Sequence, residues 1–380
     1  MSSAVAANSN CNWLCAGKDV FPAMLASIEE ARRSICLETY IYNSGEPGEK
    51  FRAALIRARE RGLEVRVLID ALGSMALSNS FWQPLRNAGG LVKTFNPHVL
   101  NRFGIRDHRK MLVCDEETAY IGGFNISSEY EGDGVTCGWC DLGLKIQGPL
   151  VRELAHSFAE MFETAEVQHT RLLHLRRFKK HHTEKSHEER VLVSGPGRGR
   201  NLIKQSLQSD LRKARNVKIM VAYFLPTWRL RRELTDVVSR GGSVQLILAG
   251  KSDVALSRLA GQSLYRRFLR SDVEIYEYQP QILHAKLLIL DDIVYVGSAN
   301  LDQRSLRINY ELMIRFDRPA MAQEANEVFE RTLKHCRRIT SEDWKNARTL
   351  FGRIKQRWAY FCLVRIDPWV ARWRWRTTSD

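Results

Sequence analysis

DHRKMLVCDEETAYIGGFNIS, residues 107–127, and LHAKLLILDDIVYVGSANLDQRS, residues 283–305, are two versions of one pattern. Each reads as a strand, a short acidic turn, a second strand and a bend of small residues. The likeness extends upstream. ARRSICLETYI (31–41) and ARNVKIMVAYF (214–224) each join a basic helix end to an apolar run rich in strand formers. Helix-like stretches follow, FRAALIRARERG at 51–62 and RRELTDVVSRGG at 231–242, then further strands, LEVRVLID at 63–70 and SVQLILAG at 243–250. The glycine before each of these last strands suits a helix C-cap. A β-α-β order recurring after about 180 residues predicts an α/β protein built from two similar domains by internal duplication, packed face to face. The expected divisions are an N-terminal tail at 1–12, a first domain at 13–165, a basic linker at 166–190, a second domain at 191–343 and a basic, Trp-rich tail at 344–380. The linker carries His169, His174, His181, His182 and His187 and reads as an exposed charged run.

The chain of 380 residues holds 58 Lys and Arg against 43 Asp and Glu, a net charge of +15. That surplus calls for an anionic partner: nucleic acid, an acidic membrane surface or a phosphorylated substrate. With 44% hydrophobic residues it can bury a core. No run approaches the roughly 20 apolar residues of a spanning helix. Met1–Asn12 does not read as a signal peptide and Arg376–Asp380 carries no prenylation box. Integral-membrane, collagen-like and secreted disulfide-scaffold classes are set aside. The eight cysteines read as reduced thiols. Cys11-x3-Cys15 and Cys137-x2-Cys140 offer a weaker zinc alternative, because the spacings are not a matched pair.

The repeated block carries the chemistry. His108-x-Lys110-x4-Asp115 leads to Gly122-Gly123-Phe124-Asn125, and His284-x-Lys286-x4-Asp291 leads to Gly297-Ser298-Ala299-Asn300. On a strand, i and i+2 share a face, so each histidine sits beside its lysine. A lysine is a point charge for a phosphate oxygen. A histidine serves as nucleophile or acid/base near neutral pH. A small-residue bend lets backbone N–H groups and an asparagine approach a phosphate. Two such sets around one pocket suit in-line displacement at a phosphodiester without a metal, the lysines and amides supplying the electrostatic stabilisation. No carboxylate cluster reads as a divalent-metal site, and no cofactor is expected. A carboxylate also heads a strand after each motif, Asp141 and Glu311. By position, Asp141 is expected to orient His108 and Glu311 to orient His284, as in a triad. Asp115 and Asp291 stand with the catalytic candidates, although each starts a turn and has a structural role open to it.

These residues resemble the phospholipase D superfamily, and within it the bacterial cardiolipin synthases. The paired HxKxxxxD motifs carry the resemblance, with LETYIYNSG (37–45), RGLEVRVLIDALGS (61–74), YIGGFNIS (120–127), GWCDLGLKIQGP (138–149) and GSANLDQRSLRINYE (297–311). The resemblance implies two phospholipase D-like α/β domains with the site at their interface, and a phosphatidyl group carried on a motif histidine, His108. His284 would then protonate the departing alcohol and deprotonate the incoming one, with Lys110, Lys286, Asn125 and Asn300 holding the phosphate. It implies an anionic phospholipid membrane as partner, phosphatidylglycerol as acceptor and possibly donor, and residence at the cytoplasmic face of a bacterial inner membrane. No nucleic acid is expected, although a hydrolase acting on phospholipid or nucleic acid, or a non-catalytic binder, remains an alternative. Three features depart from the family. The second turn is one residue shorter, Cys140 stands where arginine is common, and the chain lacks the N-terminal membrane helices many members have. The route to lipid is then the tail: residues 344–376 hold Trp344, Trp358, Trp369, Trp373 and Trp375, nine Lys or Arg and one acid, Asp367. Aromatic and basic residues in alternation suit an anionic headgroup boundary. The competing reading is a C-terminal helix with its tryptophans in the core.

Overall fold

The computed structural model describes residues 8–78, 80–97, 104–165, 188–196, 201–346 and 349–366. The His-rich stretch 166–187 and Trp369, Trp373 and Trp375 lie outside the described residues. A first sheet contains β1 (Asn10–Leu14), β2 (Ser34–Thr39), β3 (Glu64–Asp70), β4 (Leu91–Phe95), β5 (Met111–Cys114), β6 (Thr118–Gly122) and β7 (Gly143–Gln147). A second contains β8 (Glu189–Ser194), β9 (Asn216–Val221), β10 (Ser243–Ala249), β11 (Glu274–Tyr278), β12 (Lys286–Leu290), β13 (Ile293–Gly297), β14 (Glu311–Asp317) and β15 (Cys336–Ile339). The helices are α1 (Gly17–Glu30), α2 (Glu46–Glu60), α3 (Gln83–Asn87), α4 (Pro149–Thr164), α5 (Leu202–Leu211), α6 (Trp228–Ser239), α7 (Ala255–Gln262), α8 (Tyr265–Leu269), α9 (Pro319–Leu333), α10 (Ser341–Asn346) and α11 (Leu350–Phe361).

The duplication is visible in the strand orders. The first sheet runs β4-β3-β2-β5-β6-β7-β1 and the second β11-β10-β9-β12-β13-β14-β8, with β15 added at the β11 edge. In each, three parallel strands adjoin an antiparallel group. Gly62 and Gly241 end α2 and α6 with φ of 90° and 81°, the left-handed turn that a glycine accepts without a Cβ clash.

The motif strands explain why the halves pack together. Met111 and Val113 on β5, and Leu287 and Ile289 on β12, point into one apolar core shared by both sheets and by α4 and α9. The alternate residues, Leu112 and Cys114 or Leu288 and Leu290, enter two separate outer cores, one per half. A strand buried on both faces reads as a continuous apolar run, as MLVC and KLLIL do. The histidines and lysines sit at the N-terminal ends of these strands, where the two sheets meet.

Candidate active site

Each motif segment is tied by its backbone to the other half. His108 donates its N–H to the Tyr310 carbonyl at 3.0 Å, and Tyr310 donates to the Arg106 carbonyl at 2.8 Å. His284 donates to the Cys140 carbonyl at 2.7 Å, and Cys140 to the Ile282 carbonyl at 2.9 Å. Tyr310 precedes Glu311 and Cys140 precedes Asp141. The carboxylates are therefore delivered across the interface. His108 Nδ1 lies 3.0 Å from Glu311 Oε2, and His284 Nδ1 lies 2.7 Å from Asp141 Oδ2. This corrects the expected pairing of Asp141 with His108 and Glu311 with His284. Each carboxylate follows its own motif in sequence but serves the other motif's ring.

The loci around the carboxylates differ in detail. A Cβ at Gly123 would meet Asp141 Oδ1 at 2.1 Å, so only glycine leaves room there. The matching Ser298 instead donates its hydroxyl to Glu311 Oε2 at 2.5 Å. Burial raises the pKa of both carboxyls, but the neighbouring histidine and lysine more than reverse this, and both end below the usual range. Burial holds the pKa of His108 down despite Glu311. It drives that of His284 to about 4, with the Lys286 charge adding to the effect. Both rings are thus neutral at pH 7, with one nitrogen facing a carboxylate.

Lys110 and Lys286 are buried behind the rings. Lys110 Nζ donates to the His108 carbonyl at 2.7 Å. Lys286 Nζ donates to the His284 carbonyl and lies 2.8 Å from His284 Nδ1 and 3.1 Å from its Nε2. Burial, opposed by Glu311 and aided by the opposite lysine, lowers Lys110 to about 7; burial lowers Lys286 to about 8. An anion arriving between them favours both ammonium forms. The rings open on a cavity of about 410 Å³, lined from the first half by Tyr40, His108 and Asn125 and from the second by Tyr223, His284 and Asn300. Asn125 and Asn300 are fixed alike: each Oδ1 accepts a backbone N–H, from Ile41 at 3.0 Å and Tyr223 at 3.3 Å.

The profile described as "Cardiolipin synthase, PLD-like domain" matches residues 24–164 and 207–333. The major cardiolipin synthase ClsA of Bacillus subtilis (strain 168) is 33% identical over 347 residues, 90% of this chain and 72% of that protein. The chain belongs to the cardiolipin synthase family. Cardiolipin synthase A of Pseudomonas putida is 31% identical over 90% of this chain and 72% of its own length. The chain spans about two thirds to three quarters of such family members. The crystal structure of phosphatidylserine synthase from Haemophilus influenzae Rd KW20 superposes with a TM-score of 0.74, covering 95% of this chain and 94% of that one at 16% identity. That likeness establishes the shared fold.

Two of the expected catalytic residues lie elsewhere. Asp115 and Asp291 stand at the far ends of β5 and β12 from the histidines. Each takes a positive φ, 57° and 51°, which aspartate tolerates in a tight turn. Asp115 accepts the N–H groups of Arg32, Arg33 and Ser34 at 2.7–2.9 Å. Asp291 accepts those of Arg215 and Asn216. Both tie their hairpin to the chain at the start of the adjoining strand, β2 or β9, away from the two imidazoles. The same contacts align the two turns despite the missing residue. Cys140 contributes through its backbone, which fits a side chain other than arginine.

Sequence reasoning missed the aromatic wall. The Tyr40 ring lies 4.9 Å from that of His108, and the Tyr130 and Trp139 rings lie 5.4 and 5.5 Å from that of His284. Tyr40 lies in LETYIYNSG and Trp139 in GWCDLGLKIQGP, stretches that carried only likeness, and Tyr130 lies outside both. Also missed was a buried polar group behind His108. Arg109 donates to Glu38 at 3.0 Å, and Asp70 accepts the Asp107 N–H at 3.0 Å. Among the described residues no group of three or more His, Cys, Asp or Glu side chains is placed to hold a metal ion. The tail divides between its two readings. Trp344 packs against the second-half core, its ring 4.8 Å from Tyr265, which corrects the lipid-facing expectation for that residue. Trp358 is exposed on α11.

Proposed function

We propose that this chain makes cardiolipin by moving a phosphatidyl group onto a terminal hydroxyl of phosphatidylglycerol through a phosphohistidine at His108. The observation that carries this reading is the pair of neutral, carboxylate-braced imidazoles facing one cavity. His108 is favoured as nucleophile because no described residue bonds to its Nε2, whereas Lys286 Nζ crowds the His284 ring, 2.8 Å from Nδ1 and 3.1 Å from Nε2. In the first step His108 Nε2 attacks phosphorus and the bond to the departing alcohol breaks. His284 gives that oxygen its proton. The negative phosphodiester beside His284 raises its proton affinity on binding, and Asp141 steadies the resulting imidazolium. In the second step the acceptor hydroxyl gives its proton to His284, its oxygen bonds phosphorus, and the P–N bond breaks. Lys110, Lys286, Asn125 and Asn300 hold the phosphoryl oxygens as charge builds.

Peripheral contact with an anionic membrane is assigned to α11. Leu350, Phe351, Ile354, Trp358 and Phe361 form one exposed stripe, while Gln356 and Ala359 are buried on the opposite side. Arg353, Lys355 and Arg357 flank the stripe. Among the described residues no helix is long and apolar enough to cross a membrane. A helix with an apolar stripe and basic flanks lies in the plane of an anionic surface. It adjoins α7, and Val254 and Leu363, beside these helices, line the cavity. Trp358→Ser with Phe361→Ser should lower partition onto phosphatidylglycerol vesicles, read by flotation, by at least about tenfold.

The deciding experiment incubates the purified chain with phosphatidylglycerol vesicles and identifies products by mass spectrometry. Cardiolipin and glycerol are expected, absent in His108→Ala and His284→Ala. An acid-labile lipid phosphate should be recovered on the peptide containing residue 108. Phosphatidic acid without cardiolipin would identify a hydrolase instead, and label on the peptide containing residue 284 would exchange the histidine roles.

A further inference from the structure

Joining two phospholipids brings two phosphodiesters into one cavity. One is attacked; the other is the acceptor's own and keeps its charge throughout. A second anion away from bulk water needs its own cations. Lys110 and Lys286 flank the histidines and serve the first.

Two guanidinium groups converge on the same cavity from opposite halves. Arg106, two residues before His108, is 6% exposed and lines the wall. Tyr40 is among its electrostatic neighbours, and the Tyr40 ring in turn lies against His108. Its Nη1 has no hydrogen-bond partner among the described residues. Arg304, four residues after Asn300, lines the cavity as well and donates to the Gly104 carbonyl at 3.4 Å. Burial lowers the Arg106 pKa, Tyr40 and Asp70 oppose this, and the nearby Arg304 charge lowers it further. Asp70 gives Arg106 no ion pair at contact distance, since its oxygens accept the N–H groups of Leu72, Gly73 and Asp107. Asp302 shares the wall and accepts the Ser305 N–H at 2.8 Å.

The duplication supplies the control. The residue two before His284 is Ile282, and the residue four after Asn125 is Glu129. Ile41 and Tyr223 make the same bond to the motif asparagines, so Ala222 matches Tyr40. The arginine pair and its tyrosine are therefore absent from the equivalent place on the other side. There the wall carries Asp253, whose carboxylate accepts the Tyr223 hydroxyl at 2.7 and 2.8 Å. That lobe repels a phosphate. The cavity is polarised, cationic beside His108 and anionic beside Tyr223.

We propose that Arg106 and Arg304 form a second phosphate subsite, which holds the phosphodiester of the acceptor lipid while its terminal hydroxyl attacks the phosphatidyl group on His108. The assignment rests on the transfer reaction proposed above. Two guanidinium forks facing one phosphate supply the bidentate contacts that fix its position, and with it the attacking oxygen.

The test offers the phosphatidyl-enzyme two acceptors together, phosphatidylglycerol and ethanol, which carries no phosphate. The ratio of cardiolipin to phosphatidylethanol is measured for the full chain and its Arg106→Gln, Arg304→Gln and Arg106→Lys variants. The ratio is expected to fall at least tenfold in both glutamine variants, through a raised KM for phosphatidylglycerol as acceptor, and to recover in part in Arg106→Lys. An unchanged ratio overturns the subsite, whether both products persist or both decline together as in a misfolded or donor-impaired variant. A wild-type chain that makes phosphatidylethanol but no cardiolipin overturns the synthase reading itself, so the two failures are distinct.

Discussion

His108 and His284 hold matching places in two sheets of the same strand order, but what stands behind them differs. Behind His108 lie Glu38, Asp70, Asp107 and Arg109, all buried, with Arg109 N and side chain bonded to Asp107 and Glu38. Burial raises the pKa of Glu38 and Asp107, and that of Asp70 to about 7. The corresponding positions behind His284 are Met220, Ala249, Leu283 and Ala285, equally buried and wholly apolar. The first ring rests on a charged network and the second on packed side chains. The symmetric parts, the lysines, asparagines and bracing carboxylates, stand around the two rings. The asymmetric parts lie beyond them. A duplicated scaffold thus keeps its likeness where the chemistry is shared and loses it where the surroundings are free to diverge.

The largest effect expected comes from the crossed carboxylates. Glu311→Gln and Asp141→Asn should each lower transfer by about 10²- to 10⁴-fold, as loss of a triad's orienting acid does. Crossing predicts which ring responds: the His108 imidazole titration, followed by NMR, moves in Glu311→Gln and stays in place in Asp141→Asn. The reverse result would restore pairing within each half.

The network behind His108 can be converted to its apolar counterpart. Arg109→Ala leaves Glu38 and Asp107 without their cation and should cost about 3–5 kcal/mol in urea unfolding. Adding Glu38→Met and Asp107→Leu installs the second half's pattern and should recover most of that loss. A failure to recover would mean that the two halves are not interchangeable scaffolds.

Acid and alkali should separate the halves. Asp70 has a raised folded pKa, so the stability it contributes is present below about pH 4 and is lost as pH rises through about 7. His284 has a lowered folded pKa, so its burial costs nothing above about pH 6.5 and destabilises as pH falls toward 4. Thermal midpoints of Asp70→Asn relative to wild type should therefore improve from pH 4 to pH 8, while those of His284→Gln should improve as pH falls. Parallel profiles for the two variants would remove this difference.

The smallest effect tests the symmetric turns. Asp115→Asn and Asp291→Asn weaken bonds to backbone N–H groups and should each cost about 1 kcal/mol of stability. Transfer per folded molecule should stay within twofold. A large loss of activity in either would return that residue to the chemistry.

Much of the architecture was legible because it is local. Alternation and continuous apolar runs marked the strands, glycines marked the helix ends, and repetition marked the duplication. The His-x-Lys spacing placed both rings and lysines together, and the small-residue bend placed Asn125 and Asn300. Tyr40, Tyr130 and Trp139 were visible only as letters, because an aromatic residue near a motif is as often core as wall. Trp344 and Trp358 show the same ambiguity: both sit in the basic tail, and only packing puts one against Tyr265 and the other in solvent.

The sequence by itself determined that there would be two like domains, with two histidines, two lysines and two asparagines brought together by matching motifs. Only the tertiary structure decided which carboxylate braces which ring, that Asp115 and Asp291 belong to turns, and that Arg106 and Arg304 share a cavity. The physical reason is separation along the chain. A motif's own contacts span a few residues and follow from backbone geometry. His108 and Glu311 are 203 residues apart, and His284 and Asp141 are 143 apart. Such pairs form only when burial of one shared apolar core brings the two sheets together, and no local periodicity encodes which of two equivalent partners that core will supply.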